Sequence, residues 1–436
     1  MSDGPEREVT AEIARRSEEL VALLAALVGF DTRAPDPDLA PRDEAALQEY
    51  IAQRLRAAGL AVELFEPEVA RLPSNRYPIP ERYSFAGRPQ LVARAPGAGG
   101  GRSLLFNGHV DVVPAEPVAL WTSPPFEGHV RDGRLYGRGA CDMKGGVAAM
   151  VFAAEMLATM GVALRGELIV NTVTDEESTA AGALACAGRG LRADAAIVPE
   201  PTELALWPGT RGSLMPEIDV PGRAGHAGFP YAEDAQDAPV NAIEKAQIVL
   251  AALRELRDEW SERPELRGSP LQPGTIVPIA IDAGQWIVSY PASATLRCHV
   301  QYLPEQADAD GTGERVRREI ERRVAAAACT DPWLAAHPPR FTWHGDVPPS
   351  LVDREQPICQ TTLDAMASLG LGRRIASRTT WFDGATYCRF GTPAIAFGPG
   401  SIAQAHAVDE YVPVQELVRA AQVLAVAAIR FCGVRD

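Results

Sequence analysis

Short apolar runs rich in β-branched residues alternate with helix-like segments along most of this chain, and this alternation restricts the fold more than any other sequence feature. The strand-like runs are 103–107, 166–173, 194–198 and 393–397, and the helix-like runs are 144–160, 178–189 and 414–431. Strands joined by helical crossovers are typical of βαβ units, in which neighbouring strands run parallel. The pattern therefore predicts an α/β fold with a mostly parallel sheet.

The middle of the chain has a different order of elements. A strand-like run after Gly212 is followed by a long helix-like run at 239–260. Two strand-like runs, a charged helix-like run and a final strand-like run follow at 274–281, 286–303, 314–328 and 340–344. The order βαββαβ is that of a small ferredoxin-like unit with its own sheet and helices. We therefore predict an inserted domain at 210–346, within a catalytic domain formed by 1–209 and 347–436.

Composition narrows the functional classes. The 436 residues are 46 % hydrophobic and carry 57 acidic against 42 basic side chains, a net charge of −15. Such a chain buries a large core, and its acidity argues against a nucleic-acid partner, which would favour a basic face. The longest uncharged run, 390–408, contains three glycines and two prolines, so we expect no membrane span and no membrane partner. Seven scattered cysteines without a CxxC pair indicate reduced thiols and a cytoplasmic protein.

Polar side chains of metal-binding types follow four of the strand-like runs, and a further one lies in a glycine-rich loop. They are His109 and Asp111 after 103–107, Glu176 and Glu177 after 166–173, Glu200 after 194–198, His406 after 393–397, and Asp142 in GRGACDMKGG. Each one singly has an ordinary structural explanation, such as a helix cap or a charge favoured at a helix start. In open α/β sheets, however, ligands bind at the carboxyl ends of the strands. We therefore expect these side chains to converge there.

This set of side chains makes chemical sense as a metal centre. Two histidines and several carboxylates, without sulfur, suit zinc or a similar divalent ion in a hydrolytic site. Five ligands are too many for one tetrahedral ion with an open position, but they are enough for two ions if one carboxylate bridges. In the doublet Glu176–Glu177, one glutamate would bind metal and its neighbour would act on the water as general base. Asp111 would accept the second ring N–H of His109 and fix its tautomer.

Five motifs occur in a fixed order along the chain: NGHVDVVP, GRGACDMKGG, TDEES, PEPT and HAVDEY. In order and separation they resemble the family of di-zinc metallopeptidases and deacylases that contains acetylornithine deacetylase, succinyl-diaminopimelate desuccinylase, aminoacylase-1 and the glutamate carboxypeptidases. The resemblance covers nearly the whole chain. It implies a zinc-hydrolase catalytic domain whose inserted domain serves in dimerisation and as a lid.

The resemblance implies a ligand set for two metal ions. One metal would be bound by His109 and Glu200. The other would be bound by Glu177 and His406. Asp142 would bridge them, in a loop that in this family often has a cis peptide bond after the aspartate. The implied cofactor is two Zn²⁺ per chain, for which Co²⁺ can substitute.

The resemblance also implies the catalytic residues. Glu176 would be the general base and then the acid for the leaving amine, and Asp111 would orient His109. His226, in GRAGHAG of the inserted domain, would reach the active site of the partner subunit and help to stabilise the oxyanion. The implied assembly is a homodimer formed through the inserted domain, whose edge strand is available for pairing.

One position departs from the family pattern. Relatives that act on α-carboxylates often carry an arginine two residues before the Leu-Pro unit of the segment CHVQYLP, where this chain has Gln301. Arg297 is out of register on the same strand-like run. Arg211 and Arg378 are the other candidates for a bidentate carboxylate clamp.

We expect a metal-dependent hydrolase that cleaves a linear amide in a small N-acylated substrate, of the acetylornithine-deacetylase type. A dipeptidase or carboxypeptidase is one alternative. A deacylase of a non-amino-acid amine, such as a formyl- or acetylamino heteroaromatic compound, is another, and Gln301 favours it. A non-catalytic binding module is disfavoured, because neither a metal ligand nor the general base is missing from the motifs.

Overall fold

The computed structural model describes residues 4–33, 41–73, 79–231, 237–376 and 379–435. Its helices are α1 (Gly4–Arg15), α2 (Ser17–Val28), α3 (Glu44–Ala57), α4 (Lys144–Thr159), α5 (Ala181–Gly188), α6 (Ala242–Glu262), α7 (Pro264–Arg267), α8 (Glu314–Ala328), α9 (Pro332–Ala336), α10 (Pro357–Ser368), α11 (Gly384–Arg389) and α12 (Val414–Cys432). Its strands are β1 (Ala61–Phe65), β2 (Gln90–Ala95), β3 (Leu104–His109), β4 (His129–Arg131), β5 (Arg134–Tyr136), β6 (Leu168–Val173), β7 (Ala195–Val198), β8 (Gly209–Thr210), β9 (Gly212–Pro221), β10 (Thr275–Ala283), β11 (Ser293–Tyr302), β12 (Arg340–Val347), β13 (Ser350–Leu351), β14 (Ala394–Ala396) and β15 (Tyr411–Pro413).

The main sheet has six strands in the order β1-β2-β6-β3-β7-β14. Strand β3 runs parallel to both β6 and β7, and β14 runs parallel to β7. Strands β1 and β2 add an antiparallel edge beside β6. The prediction of an α/β fold with a mostly parallel sheet is therefore confirmed, and the antiparallel edge is an addition to it.

Helices cover both faces of the main sheet. Leu104 and Phe106 of β3 pack into a core with helices α1 to α4, α10 and α12. Leu105, which lies between them and points the other way, packs into a second core with α5 and α11. Burial on both faces explains why these strands are continuous apolar runs rather than alternating ones.

The predicted βαββαβ order is present as β9, α6, β10, β11, α8 and β12. The four strands form an antiparallel sheet in the order β10-β11-β9-β12. Leu296, Cys298 and Val300 of β11 lie in a separate core with α6 and α8, whereas Arg297 and His299, which alternate with them, lie on the opposite face. The domain boundaries at 210–346 stay a prediction.

Several predicted elements differ in extent from the observed ones, and two of these differences have a clear physical reason. Strand β3 continues to His109, because His109 pairs in register with Val173 of β6. The run predicted as one strand at 286–303 is instead a turn followed by β11, and the backbone N–H of Ser289 donates to the carbonyl of Trp286 in that turn. The strand begins after Pro291, whose ring nitrogen has no hydrogen to donate to a ladder.

None of the helices in the described parts of the chain is both long and apolar enough to cross a membrane.

Candidate metal centre

The predicted metal ligands converge at one edge of the main sheet. His109 is the last residue of β3, Glu177 lies four residues after β6, and Glu200 lies two residues after β7. Asp142 precedes α4, and its peptide bond to Met143 is cis. Because β6, β3, β7 and β14 are neighbours and run parallel, their carboxyl ends meet at this edge.

Asp142 lies between the two histidines. Its Oδ1 is 3.2 Å from His109 Nε2, and its Oδ2 is 3.7 Å from His406 Nε2. His406 Nε2 also lies 3.1 Å and 3.2 Å from the two carboxylate oxygens of Glu177. Ligand atoms of His109, Asp142 and Glu177 all lie within 4.8 Å of one another.

Two further carboxylates complete the cluster. Glu200 is buried, and its Oε1 has no hydrogen-bond partner among the described residues. Glu176 Oε2 is 3.9 Å from His109 Nε2. Both side chains line a cleft of about 400 Å³ together with Asp142, Glu177 and His406.

Burial and mutual repulsion disfavour the charged forms of these carboxylates. Burial, and then the charge of Asp142, raises the pKa of Glu177 to about 7. Burial raises the pKa of Glu176 and that of Glu200 well above the usual range, although His109 opposes both shifts. Buried carboxylates this close together repel one another and are stable as anions only when positive charge balances them. Nitrogen and oxygen donors in this arrangement fit divalent metal ions, which would supply that charge.

The backbone carbonyl of Asp111 sets the tautomer of His109. His109 Nδ1 lies 2.9 Å from that carbonyl oxygen and 3.7 Å from Asp111 Oδ1. A carbonyl only accepts, so Nδ1 carries the hydrogen and Nε2 keeps the lone pair that a metal requires. The Asp111 carboxylate instead accepts hydrogen bonds from the backbone N–H groups of Glu176 and Glu177, at 3.2 Å and 3.0 Å. Asp111 thus contacts two parts of the predicted site. Its backbone carbonyl contacts His109, and its carboxylate contacts the Glu176–Glu177 doublet.

His226 lies away from this cluster. Its side chain is exposed, and its Nδ1 accepts a hydrogen bond from the backbone N–H of Gly228 at 3.1 Å. Its backbone N–H donates to the hydroxyl of Tyr231, and it forms a bridge with Ser289 in the loop between β10 and β11. Its predicted role in a partner's active site stays a prediction.

The possible carboxylate clamps differ in position. Arg297 is half-exposed and forms ion pairs with Glu217 and Asp282. Arg211 is buried and donates to the carbonyls of Pro273 and Thr379. Arg378 lies outside the described residues. Gln301 lines the cleft beside the metal centre.

Glu410 is a buried residue beside the predicted metal ligands that the sequence analysis did not identify. Its buried carboxylate accepts hydrogen bonds from the backbone N–H groups of Cys141 at 2.8 Å, Asp142 at 2.9 Å and Gly139 at 3.1 Å, and it pairs with Arg138 at 2.6 Å. It therefore holds the loop that carries Asp142. The sequence feature that could have identified Glu410 is its place in the motif HAVDEY, four residues after His406.

Asp383 is a second missed residue. It is buried, and neither of its carboxylate oxygens has a hydrogen-bond partner in the described structure. Burial raises its pKa to about 7, and nearby charges on His109 and Asp111 also act on it. Asp383 is therefore a further carboxyl group near the metal centre whose charged form is disfavoured by burial.

A model of the peptidase family M20/M25/M40 matches residues 105–430 of this chain. Two curated proteins similar to it over nearly their whole length are both named N-formyl-4-amino-5-aminomethyl-2-methylpyrimidine deformylase. The protein of Halalkalibacterium halodurans is 29 % identical over 450 aligned positions, which cover 98 % of each chain. The protein of Bacillus subtilis is 28 % identical, over 97 % of this chain and 96 % of its own.

Solved structures show the same fold. A tripeptidase from Staphylococcus aureus has a TM-score of 0.72 to this chain at 19 % identity, covering 95 % of this chain and 98 % of its own. At that level of identity, the similarity extends to the architecture described above and no further.

Proposed function

The chain belongs to peptidase family M20/M25/M40, and on that premise we propose that it removes the formyl group from an aminopyrimidine that is formylated on an aminomethyl nitrogen. The family resemblance noted in the sequence is confirmed, and the chain is an amide hydrolase that acts on small N-acylated compounds. Among the predicted substrate classes, the deacylation of a non-amino-acid amine agrees with the names of the two curated relatives.

The observation that carries this proposal is the convergence of metal-type side chains at the sheet edge. They are His109, Asp142, Glu177 and His406, with Glu176 beside them. Residues from four separate parts of the chain meet there, and each has a donor atom suited to a divalent ion. The chain's metal dependence follows from this donor set and its family.

We propose two Zn²⁺ per chain, with Co²⁺ as a substitute. His109 and Glu200 would hold one ion, and Glu177 and His406 the other. The two oxygens of Asp142, each directed at a different histidine, support a bridging role for this residue. When bound, the ions would polarise the formyl carbonyl and lower the pKa of the attacking water.

Glu176 would move the protons of the reaction. It would take a proton from the attacking water as the oxygen forms its bond to the formyl carbon. It would then deliver a proton to the amine nitrogen as the carbon–nitrogen bond breaks. The products are formate and the free amine, so that no co-reactant besides water is required. The hydrogen bonds from Glu176 and Glu177 N–H to Asp111 support this placement of the doublet.

We also propose a homodimer formed through the inserted domain. Edge strand β10 exposes Ile279 at 64 %, and the loop that follows exposes Trp286 at 70 % and Ile287 at 94 %. Exposed apolar edge strands favour pairing with a second copy across a two-fold axis. The backbone of Ala227 hydrogen-bonds to Val288 in this loop. A partner bound there would therefore lie beside His226, which supports a role for His226 in the partner's active site.

A cytoplasmic location is part of the same proposal. All seven cysteines are free thiols, which agrees with a reducing compartment.

A hydrolysis panel tests the proposed reaction. Metal-loaded protein would be given the N-formylated aminomethyl-aminopyrimidine, N-acetylornithine and a dipeptide, and kcat/KM would be measured for each. We expect the formylated pyrimidine to be preferred by about 10²-fold or more. A Glu176→Gln preparation serves as the control. We expect it to be inactive on all three compounds, which would show that the measured hydrolysis occurs at this metal centre. A higher kcat/KM for N-acetylornithine or for the dipeptide would overturn the assignment.

A further inference from the structure

The wall of the cleft that faces the metal centre is built by the second sheet. Ser213 and Met215 of β9 and His299 and Gln301 of β11 line the same cleft as Glu176 and His406. Gln301 pairs in register with Ser213 across the two strands. His299 and Gln301 are two residues apart, so both side chains lie on the helix-free face of the sheet.

This wall is polar but uncharged. Among the described residues that line the cleft, none is a lysine or an arginine. Arg297 lies two residues before His299 on β11 and forms ion pairs with Glu217 and Asp282. Arg211 is engaged by the carbonyls of Pro273 and Thr379.

His299 belongs to this neutral surface. Burial, and then the positive charge of Arg211, lowers the pKa of His299. Its ring is therefore uncharged near neutral pH. Its Nε2 lies 2.7 Å from the hydroxyl of Ser213, which holds the ring in place. The hydroxyl of Thr275 lies 3.5 Å from Gln301 Oε1.

A glutamine amide carries a donor and an acceptor side by side. An aminopyrimidine presents the complementary pair on one edge, a ring nitrogen that accepts and an exocyclic amino group that donates. Bidentate pairing of this kind is how glutamine and asparagine side chains read adenine. Trp381 lines the cleft as well and offers an aromatic surface for stacking against such a ring.

We propose that Gln301, Ser213 and His299, with Trp381, form the subsite that binds the ring of the leaving amine, and that this subsite selects an uncharged aminated nitrogen heterocycle. The inference rests on the proposed function, because it places that substrate's ring against this wall and its formyl group at the metal centre. Gln301 is a specificity-determining residue, and Ser213 positions His299 beside it.

Two substrates and one ligand test this subsite. The substrates are the N-formylated aminomethyl-aminopyrimidine and N-formylbenzylamine, which has the same amide but no polar ring edge. The ligand is the free aminomethyl-aminopyrimidine, whose binding to metal-loaded protein is measured by calorimetry without any turnover. The variants are Gln301→Leu and Ser213→Ala. Thr295→Val is the matched control, since Thr295 lies on the same face of β11 but bonds to the exposed Asp219.

We expect Gln301→Leu to lower kcat/KM for the pyrimidine substrate by about 10- to 100-fold, mainly through KM, and to weaken binding of the free amine by a similar factor. The loss on N-formylbenzylamine should be several-fold smaller. Ser213→Ala should show the same selectivity with a smaller loss, which keeps the test valid if Gln301→Leu does not fold. Thr295→Val should leave both substrates and binding unaffected.

The outcomes separate this inference from the proposed function. If Gln301→Leu lowers kcat/KM equally for both substrates, or if amine binding does not depend on Gln301, the proposed subsite is wrong. The proposed deformylase activity would still stand. Wild-type protein that binds the amine through Gln301 but does not cleave the formyl compound would support the subsite and overturn the proposed function. Wild-type protein that does not bind the amine would overturn the subsite.

Discussion

The buried carboxylate of Glu410 accepts a hydrogen bond of 2.9 Å from the backbone N–H of Asp142. The same carboxylate bonds to the N–H groups of Cys141 and Gly139 and pairs with Arg138. Glu410 lies four residues after His406, so one short segment carries a predicted ligand and also holds the loop of the predicted bridging ligand.

The first prediction concerns this contact. Glu410→Gln should weaken metal binding by about 10- to 100-fold, because residues that orient metal ligands typically contribute that much. Metal affinity would be measured by titration of the apoprotein, with the melting temperature recorded alongside. Asp409→Asn is the control, since Asp409 is the adjacent carboxylate and bonds only to Thr122 in the described contacts. Equal metal affinity in the two variants would count against a positioning role for Glu410.

The second prediction concerns the general base. Glu176→Gln should bind metal normally and lose about 10²- to 10⁴-fold in kcat, because the carboxylate that takes the water proton is gone while the ligands remain. The measurement is kcat together with metal content. Glu244→Gln, an exposed glutamate of α6, serves as control. Near wild-type kcat in Glu176→Gln would remove this residue from the role.

The third prediction concerns the two metals. Chelation should abolish activity, and Zn²⁺ or Co²⁺ should restore it. Asp142→Ala should reduce the metal content of both sites, because Asp142 has one oxygen directed at each histidine, whereas His406→Ala should affect mainly one site. Elemental analysis after dialysis measures this, and we expect two ions per chain in the intact protein. A fully active metal-free preparation would contradict the whole metal-centre assignment.

The fourth prediction concerns His226. His226→Ala should lower kcat by about 10²- to 10³-fold, as removal of an oxyanion donor does, without a change in metal content. Mixing the inactive Glu176→Gln and His226→Ala variants should restore part of the activity, because a mixed dimer pairs one intact Glu176 with one intact His226. Each variant mixed with itself is the control. Proven heterodimers without activity would mean that His226 does not act across the interface.

The fifth prediction concerns the assembly. Ile279→Glu places a charge on the exposed edge strand β10 and should convert the dimer to a monomer, because a charge on an edge strand opposes strand pairing. Light scattering after size-exclusion chromatography measures the mass. Val130→Glu, at an exposed apolar residue of β4 outside the inserted domain, is the control. A dimer that persists in Ile279→Glu would place the interface elsewhere.

Much of the site could be predicted because its residues lie at strand ends. His109, Glu177 and Glu200 follow three apolar runs that become β3, β6 and β7, which run parallel in one sheet. Parallel strands bring their carboxyl ends to the same edge, so residues that are far apart in sequence become neighbours. The fold class and the approach of the metal-type side chains therefore follow from local patterns.

Other features required the tertiary structure. The carbonyl of Asp111, rather than its carboxylate, lies nearest to His109 Nδ1, and the carboxylate contacts the Glu176–Glu177 doublet instead. Which atom of Asp111 faces which neighbour depends on the distances between separate elements. The periodicity of the sequence carries no information about these distances. The edge strands β1 and β2 escaped prediction for the same kind of reason, because an antiparallel addition leaves no crossover pattern.

The sequence by itself determined which chemical groups this protein brings to its site and on which elements they lie, because apolar periodicity and strand ends are local properties. Only the tertiary structure decided which atoms face each other. It directs Arg297 to the carboxylates of Glu217 and Asp282 and leaves Gln301, Ser213 and His299 opposite the metal centre. The physical reason is that the register between β9 and β11, and the way their sheet lies against the metal edge, are set by contacts between residues distant in sequence.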